Sequence, residues 1–219
     1  MRSEKLRRRV LLSVLSLPLA GASVGCLGLA SNLMHAAGMD MVPAKYEELR
    51  DCKTAVVVRT PRSRRGADPA AEELASRLTA VLTSRVKDAT VVSPTKVDQW
   101  FDDNGFENDD YEQLGRDLTA DRVLIVEMPR LELRDGPTLY RGRSDCHVEV
   151  VDLTNGGIAY TCELDDYTFP RVAGQHTSET TLRRFRGLYL TMLAAEIGRH
   201  FHKYDATETM ALDSTIARM

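Results

Sequence analysis

Apolar and polar positions along the chain change period several times, and each change marks an element. Lys53 to Arg59, "KTAVVVR", is a short β-branched run bounded by loop residues, the pattern of a buried strand. After the loop "TPRSRRGADP", Asp68 stands as an N-cap, Pro69 takes the first helical position, and Glu72 and Glu73 lie near the positive end of the dipole. Leu74, Ala75, Leu78, Val81 and Leu82 then recur at three-and-four spacing, which predicts a helix packed on the sheet. "ATVVS", Ala89 to Ser93, predicts a second strand. Ser93-Pro94 repeats the cap-plus-proline start for a helix with Val97, Trp100 and Phe101 on one side. A shorter helical stretch, Tyr111 to Leu118, leads into "DRVLIVEM", whose uninterrupted apolar run suits a strand covered on both faces.

Beyond Met128 the pattern becomes a meander, with turn signals at Asp135-Gly136-Pro137 and Asn155-Gly156-Gly157 between alternating runs. Arg141, Arg143, Asp145, His147 and Glu149 share one strand face; Gly142, Ser144, Cys146, Val148 and Val150 share the other. One side is therefore wet and one packed. Phe169-Pro170 ends the strands, and a long helix from about Ser178 to Tyr204 carries Phe185, Tyr189, Leu193, Ile197 and Phe201 on one stripe. The predicted fold class is α/β: a three-layer mixed sheet with helices on its faces, in the order β-α-β-α-α-β-β-β-α, as a single domain over 53–204. Residues 205–219 lack such a stripe and read as a C-terminal tail.

The N-terminus has its own grammar. Arg2 to Arg9 is basic, Val10 to Ala20 ("VLLSVLSLPLA") is apolar, and small residues follow, as in a secretion signal over 1–25. The end of that signal, Ser23-Val24-Gly25-Cys26, resembles the lipobox of bacterial lipoproteins, in which the cysteine is diacylated and becomes the first residue. Gly25 fits; Ser23 departs from the preferred leucine. Ordinary cleavage near "AGAS" and an uncleaved anchor are the alternatives, although Pro18 and the glycines weaken a span that needs about 20 apolar residues. Residues 26–52, with glycines, methionines and a proline and no sustained period, read as a lipid-anchored tether.

Charge narrows the partners. The chain is 43% hydrophobic and 28% charged, the composition of an ordinary globular protein. Its net charge of -3 includes a leader of +4, so the body carries -7 and has no basic stripe for nucleic acid. With Cys26 lipidated, Cys52, Cys146 and Cys162 remain, an odd number without a C-x-x-C pair. Buried thiols are the simplest reading, and a Cys146 to Cys162 bridge depends on hairpin register.

Neither a nucleophile elbow, a P-loop nor a dinucleotide glycine fingerprint is present. Of the five histidines, His200 and His202 lie two apart on a helix and diverge by about 200°. "FDDNGFENDD" fails the phase of a calcium loop, and its acids read better as helix terminators and caps. No catalytic residue, metal or cofactor is expected. Two surfaces are candidates for a partner or anion. Arg62, Arg64 and Arg65, with Arg59, precede the helix that begins at Asp68, where dipole and guanidinium groups attract acidic groups, although Asp68 itself fills part of that site. Arg141 and Arg143, beside His147, lie on the wet strand face, where a partner strand could also add. The alternative for both is a solvated surface.

"KTAVVV", "SPTKVDQW", "LTADRVLIVEM" with the Leu114-Gly115 pair before it, and "VEVVDLTNGG" together resemble the α/β domain of bacterial envelope lipoproteins that activate penicillin-binding proteins, and of the curli secretion lipoprotein. The resemblance covers Lys53 to Tyr204 and rests on element order and diffuse phrases. It implies a mixed sheet flanked by helices and a non-enzymatic role through protein contacts. The chain lacks a long amphipathic hairpin for a membrane barrel, so a pore is not implied. Leu27 after the cysteine, where an inner-membrane signal would be aspartate, implies the outer membrane by analogy. The reading is a secreted, lipid-anchored accessory or adaptor protein at the periplasmic face of the cell envelope. Its partners are envelope proteins, with homo-oligomer formation open; a structural self-assembling component and a periplasmic enzyme are the alternatives.

Overall fold

The computed structural model describes residues 41–205. The leader, Cys26 and the tail beyond Asp205 lie outside the described residues. After a two-residue strand, Met41–Val42 (β1), come Lys53–Arg59 (β2), helix α1 (Pro69–Arg85), Thr90–Val91 (β3), α2 (Pro94–Asn104) and α3 (Tyr111–Asp117). Then follow Arg122–Glu132 (β4), Leu139–Tyr140 (β5), Gly142–Asp152 (β6), Ile158–Phe169 (β7), Gln175–His176 (β8), α4 (Leu182–Gly198) and Tyr204–Asp205 (β9). Five strands form a mixed sheet in the order β3-β2-β4-β6-β7. β3 and β4 run parallel to β2, whereas β4, β6 and β7 alternate antiparallel. The α/β class and the predicted order of the main elements are those observed.

Alternation within the inner strands explains the three layers. Val56 and Val58 of β2, with Leu124, Val126 and Met128 of β4, join the larger core with α1 and α4. Ala55, Val57, Val123 and Ile125 face the other way, onto Val97, Trp100 and Phe101 of α2 and Leu114 of α3. Both faces of β2 and of β4 from Val123 to Val126 are thus desolvated, at roughly 25 cal/mol for each Å² of apolar surface buried. α2 and α3 reach β6 only at its end, where Val151 joins the smaller core, and the rest of that face stays polar: Asp145, His147 and Glu149 are partly exposed while Ser144, Cys146, Val148 and Val150 are buried on the other side. Asp68 caps α1 as its position predicts, accepting from the Ala70 N–H at 3.0 Å. Ser93 precedes α2 without making a side-chain cap.

Two boundaries differ from the sequence reading. The folded body begins before Lys53, because Tyr46 and Leu49 are buried in the larger core and the Lys45 and Tyr46 amides both donate to the His200 carbonyl at 2.9 Å. The Tyr46 ring lies 5.1 Å from that of Tyr160 and 6.3 Å from that of Phe201. At the other end, α4 stops at Gly198 instead of reaching Tyr204. His200 N–H bonds to Ile197 O and Phe201 N–H to Gly198 O, three-residue steps that tighten the last turn and swing Phe201 inward.

Gly142 shows how closely α4 lies against the sheet: a Cβ there would come within 1.9 Å of the Tyr189 ring. The Tyr189 hydroxyl donates to the half-buried Tyr167 O (3.0 Å) and accepts from the buried Ser144 hydroxyl (2.7 Å). Replacing Gly142 with alanine overpacks this contact and is expected to cost about 1–3 kcal/mol in urea unfolding. Tyr189→Phe removes a buried donor and is expected to cost about 1–3 kcal/mol without changing the secondary structure. A Gly142→Ala midpoint equal to wild type would show that α4 packs less tightly than described.

Candidate functional site

The C-terminal end of β2 is where the chain leaves the sheet and where the predicted arginines gather. Thr60 and Ser63 close a buried turn: the Thr60 N–H donates to Ser63 Oγ (2.8 Å) and the Ser63 N–H to Thr60 Oγ1 (2.9 Å). Thr60 Oγ1 in turn donates to Asp68 Oδ2 at 2.6 Å, while the other Asp68 oxygen caps α1. All three residues are buried, so each hydrogen bond removes an otherwise unsatisfied polar group from the interior. Asp68 thereby occupies the helix N-terminus that an external anion would use.

The arginines separate into two kinds. Arg59 is 3% exposed, lies 4.7 Å from the Phe101 ring centroid, and bonds Phe106 O and Asp109. Arg64 bridges Asp109 and Glu127, the latter at 2.7 Å. Both guanidinium groups are thus paired within the chain, Arg64 while still 36% exposed. Arg62 and Arg65 are exposed and have no side-chain partner among the described residues. They border a cavity of about 420 Å³, with Pro61, Met128, Pro129, Leu131 and Leu133 also on its walls.

On the opposite side of the turn, a crevice of about 270 Å³ runs between α1 and α2. Glu72, Asp98 and Asp102 stand beside its apolar walls of Val57, Val97 and Phe101. Burial, reinforced by the Glu72 and Asp102 charges, raises the pKa of Asp98. Among the described residues, Arg59 is the one cation on these walls and is paired with Asp109, so carboxylates predominate on this side of the turn and arginines on the other.

The second predicted surface is more nearly self-neutralised. Arg141 donates to Arg171 O (2.9 Å) and lies 3.7 Å from Asp135, whereas Arg143 is half-buried, opposite Glu132. Around them Arg130 makes a two-point pair with Asp145 (2.7 and 2.8 Å), and His147 sits 2.8 Å from Glu149. Hydrogen bonds from Arg130 and from the Asp166 backbone hold the Asp145 pKa down at about 2. Arg141 and Arg143 are not on the walls of the cavity that Arg62 and Arg65 border.

The thiols and histidines also have assigned neighbours. Cys146 and Cys162 are free; the register pairs Cys146 with Leu164 and Val148 with Cys162, so the two do not face each other directly. Burial pushes the Cys146 thiol up to about 12, which removes its thiolate at neutral pH. His200 Nδ1 meets the Tyr160 hydroxyl at 2.6 Å, and His202 Nδ1 meets the Lys203 carbonyl at 2.8 Å. Sequence reasoning missed Asp109, Glu127 and the Thr60–Ser63 turn. Of the "FENDD" acids, Asp110 is a cap as expected, an acceptor from Gln113 N–H at 2.8 Å. Asp109 instead reaches back to Arg59 and Arg64, a long-range pairing that periodicity does not encode.

Burial alone would raise the pKa of Asp109, but hydrogen bonds from Arg64 and Tyr111 and the charges of Arg64 and Arg59 outweigh it and lower the value. The resulting stabilisation is complete above the carboxyl pKa of the unfolded chain and is lost as pH falls through the lower folded value. Asp109→Asn is therefore expected to unfold at lower urea than wild type at pH 7, with the difference shrinking on acidification through the carboxylate range. A difference that grows on acidification would contradict the pairing.

No family model and no curated protein matches the sequence. Similar solved structures include a PelC dodecamer from Paraburkholderia phytofirmans, 14% identical over 74% of this chain and 96% of that chain, with a TM-score of 0.44. Lipoprotein GNA1162 from Neisseria meningitidis is 14% identical over 66% and 96%, with a TM-score of 0.43. The LpoB C-terminal domain from Salmonella enterica is 16% identical over 63% and 91%, with a TM-score of 0.37. These likenesses concern the α/β fold, which bacterial lipoproteins are among those to adopt, and assign neither activity nor partner to this chain.

Proposed function

We propose that the chain is an accessory or adaptor protein of the bacterial cell envelope, lipidated at Cys26, held at the periplasmic face of the outer membrane, and acting through protein contacts instead of catalysis. The observation that carries the binding role is the contrast at the end of β2. Arg59 and Arg64 are consumed by Asp109, Glu127 and Phe106, while Arg62 and Arg65 have no side-chain partner among the described residues and stand beside an apolar cavity. Cations left in water beside an apolar wall suit recognition of a surface, because both charge steering and apolar burial are then available to a partner. The buried cysteine thiol fits the same reading, since its raised pKa works against nucleophilic use. The anchor rests on the leader and on Ser23-Val24-Gly25-Cys26.

Intact-mass analysis of the N-terminal peptide from native envelopes is expected to show acyl chains on Cys26, and Cys26→Ser to move the protein out of the membrane fraction. A retained leader or a bare cleaved chain would defeat the anchoring half of the proposal. Affinity recovery from the same envelopes, followed by mass spectrometry, is expected to yield a reproducible envelope partner. Recovery of the bait alone would defeat the other half.

A further inference from the structure

β2 ends at Arg59, which pairs with Glu127, but β4 continues to Glu132. From Met128 to Glu132, β4 keeps its partner β6 on one side, across a register shift between Glu127 and Arg130. On the other side, where β2 would continue, the chain has already turned away at Thr60. No described strand pairs with that edge. The cavity between this edge and the turn is the one bordered by Arg62 and Arg65, and it shares Leu131 and Leu133 with a second cavity of about 370 Å³ that is also lined by Glu132, Arg134 and Leu182.

We propose that this groove binds an extended, acidic segment of a partner protein, which adds to the free edge of β4 in the place left by β2. The mode is strand addition: main-chain hydrogen bonds supply affinity, and alternate side chains supply selectivity. Leu131, Leu133 and Leu182 offer the apolar contacts, with Leu182 40% exposed. Arg62, Arg65 and Arg134 are exposed cations on the rim. Of the neighbouring carboxylates among the described residues, Asp68 is buried in the turn and Glu73 holds Arg186 at 3.2 Å, which leaves Glu132, 4.0 Å from Arg130, as the one exposed acid on the wall against the three arginines. A ligand carboxylate thus meets net positive charge here, although the body of the protein is acidic overall. Pro129 has no N–H, so donation from the edge must come from other residues of the segment. Between two acidic proteins, such a local cationic groove selects where contact forms.

This deepens, and rests on, the reading of the chain as an envelope binding protein. The test uses the full chain and a fluorescein-labelled peptide of about six residues alternating glutamate and valine, the length of an ordinary strand. Fluorescence anisotropy is expected to show binding that weakens at least tenfold in Arg62→Glu/Arg65→Glu, whose urea midpoint stays at that of wild type because both residues are exposed. Binding is also expected to be lost when alternate peptide amides are N-methylated. Hydrogen exchange is expected to slow at Leu131 and Leu133 only with peptide present. The proposal is overturned by absent binding, by equal binding of a lysine-for-glutamate peptide, or by protection at Leu131 and Leu133 before peptide is added. It is equally overturned if phosphatidylglycerol vesicles bind in an Arg62- and Arg65-dependent way while the peptide does not, or if the double variant loses self-association and nothing else. Should the double variant recover the same envelope partner as wild type, the groove fails and the adaptor reading stands.

Discussion

Three buried side chains, Thr60, Ser63 and Asp68, decide where the central parallel strand stops. Their hydrogen bonds turn the chain out of the sheet, and the same aspartate starts α1 on the far side of the turn. Had β2 run on, it would have covered the outer edge of β4 beyond Glu127. Because it turns, no described strand covers that edge, and two arginines are carried to its rim. Local polar chemistry, enclosed so that each group must find a partner, thus determines the shape of the surface above it.

The charge pattern around this turn is graded by burial. Arg59, almost fully enclosed, is stacked on Phe101 and held by Asp109; Arg64, partly exposed, bridges two carboxylates; Arg62 and Arg65, on the outside, have no such partner among the described residues. A buried guanidinium without its carboxylate would be costly, whereas a solvated one costs little and remains available. The wet face of β6 and β7 follows another logic. Arg130 with Asp145, and His147 with Glu149, answer each other within the sheet. Charged side chains there also protect the long edge strand β7 from indiscriminate pairing. An acidic molecule with a confined basic groove is therefore selective by construction.

Much of the architecture is legible from periodicity. Val56 to Val58 and Val123 to Val126 announce two-faced burial, and Asp68-Pro69 marks the start of α1, because these signals are local to a strand or a helical turn. The alternation from Gly142 to Val150 places the packed and wet faces correctly. What is not legible depends on contacts distant in sequence. Tyr46 and Leu49 sit in a stretch without period, and only Tyr160, His200 and Phe201 explain why it is ordered. The arginine loop looks like one cationic cluster; Asp109 and Glu127, 45 and 63 residues away from Arg64, divide it into a structural half and a free half.

Coupling between the two ends of the turn is what a double-mutant cycle of Thr60→Val and Asp68→Ala, read by urea unfolding of the full chain, isolates. The two changes are expected to be non-additive by about 0.5–3 kcal/mol, the range for residues in one hydrogen-bond network. Strictly additive costs would mean that the turn is held by packing alone, and that these side chains do not determine where β2 ends.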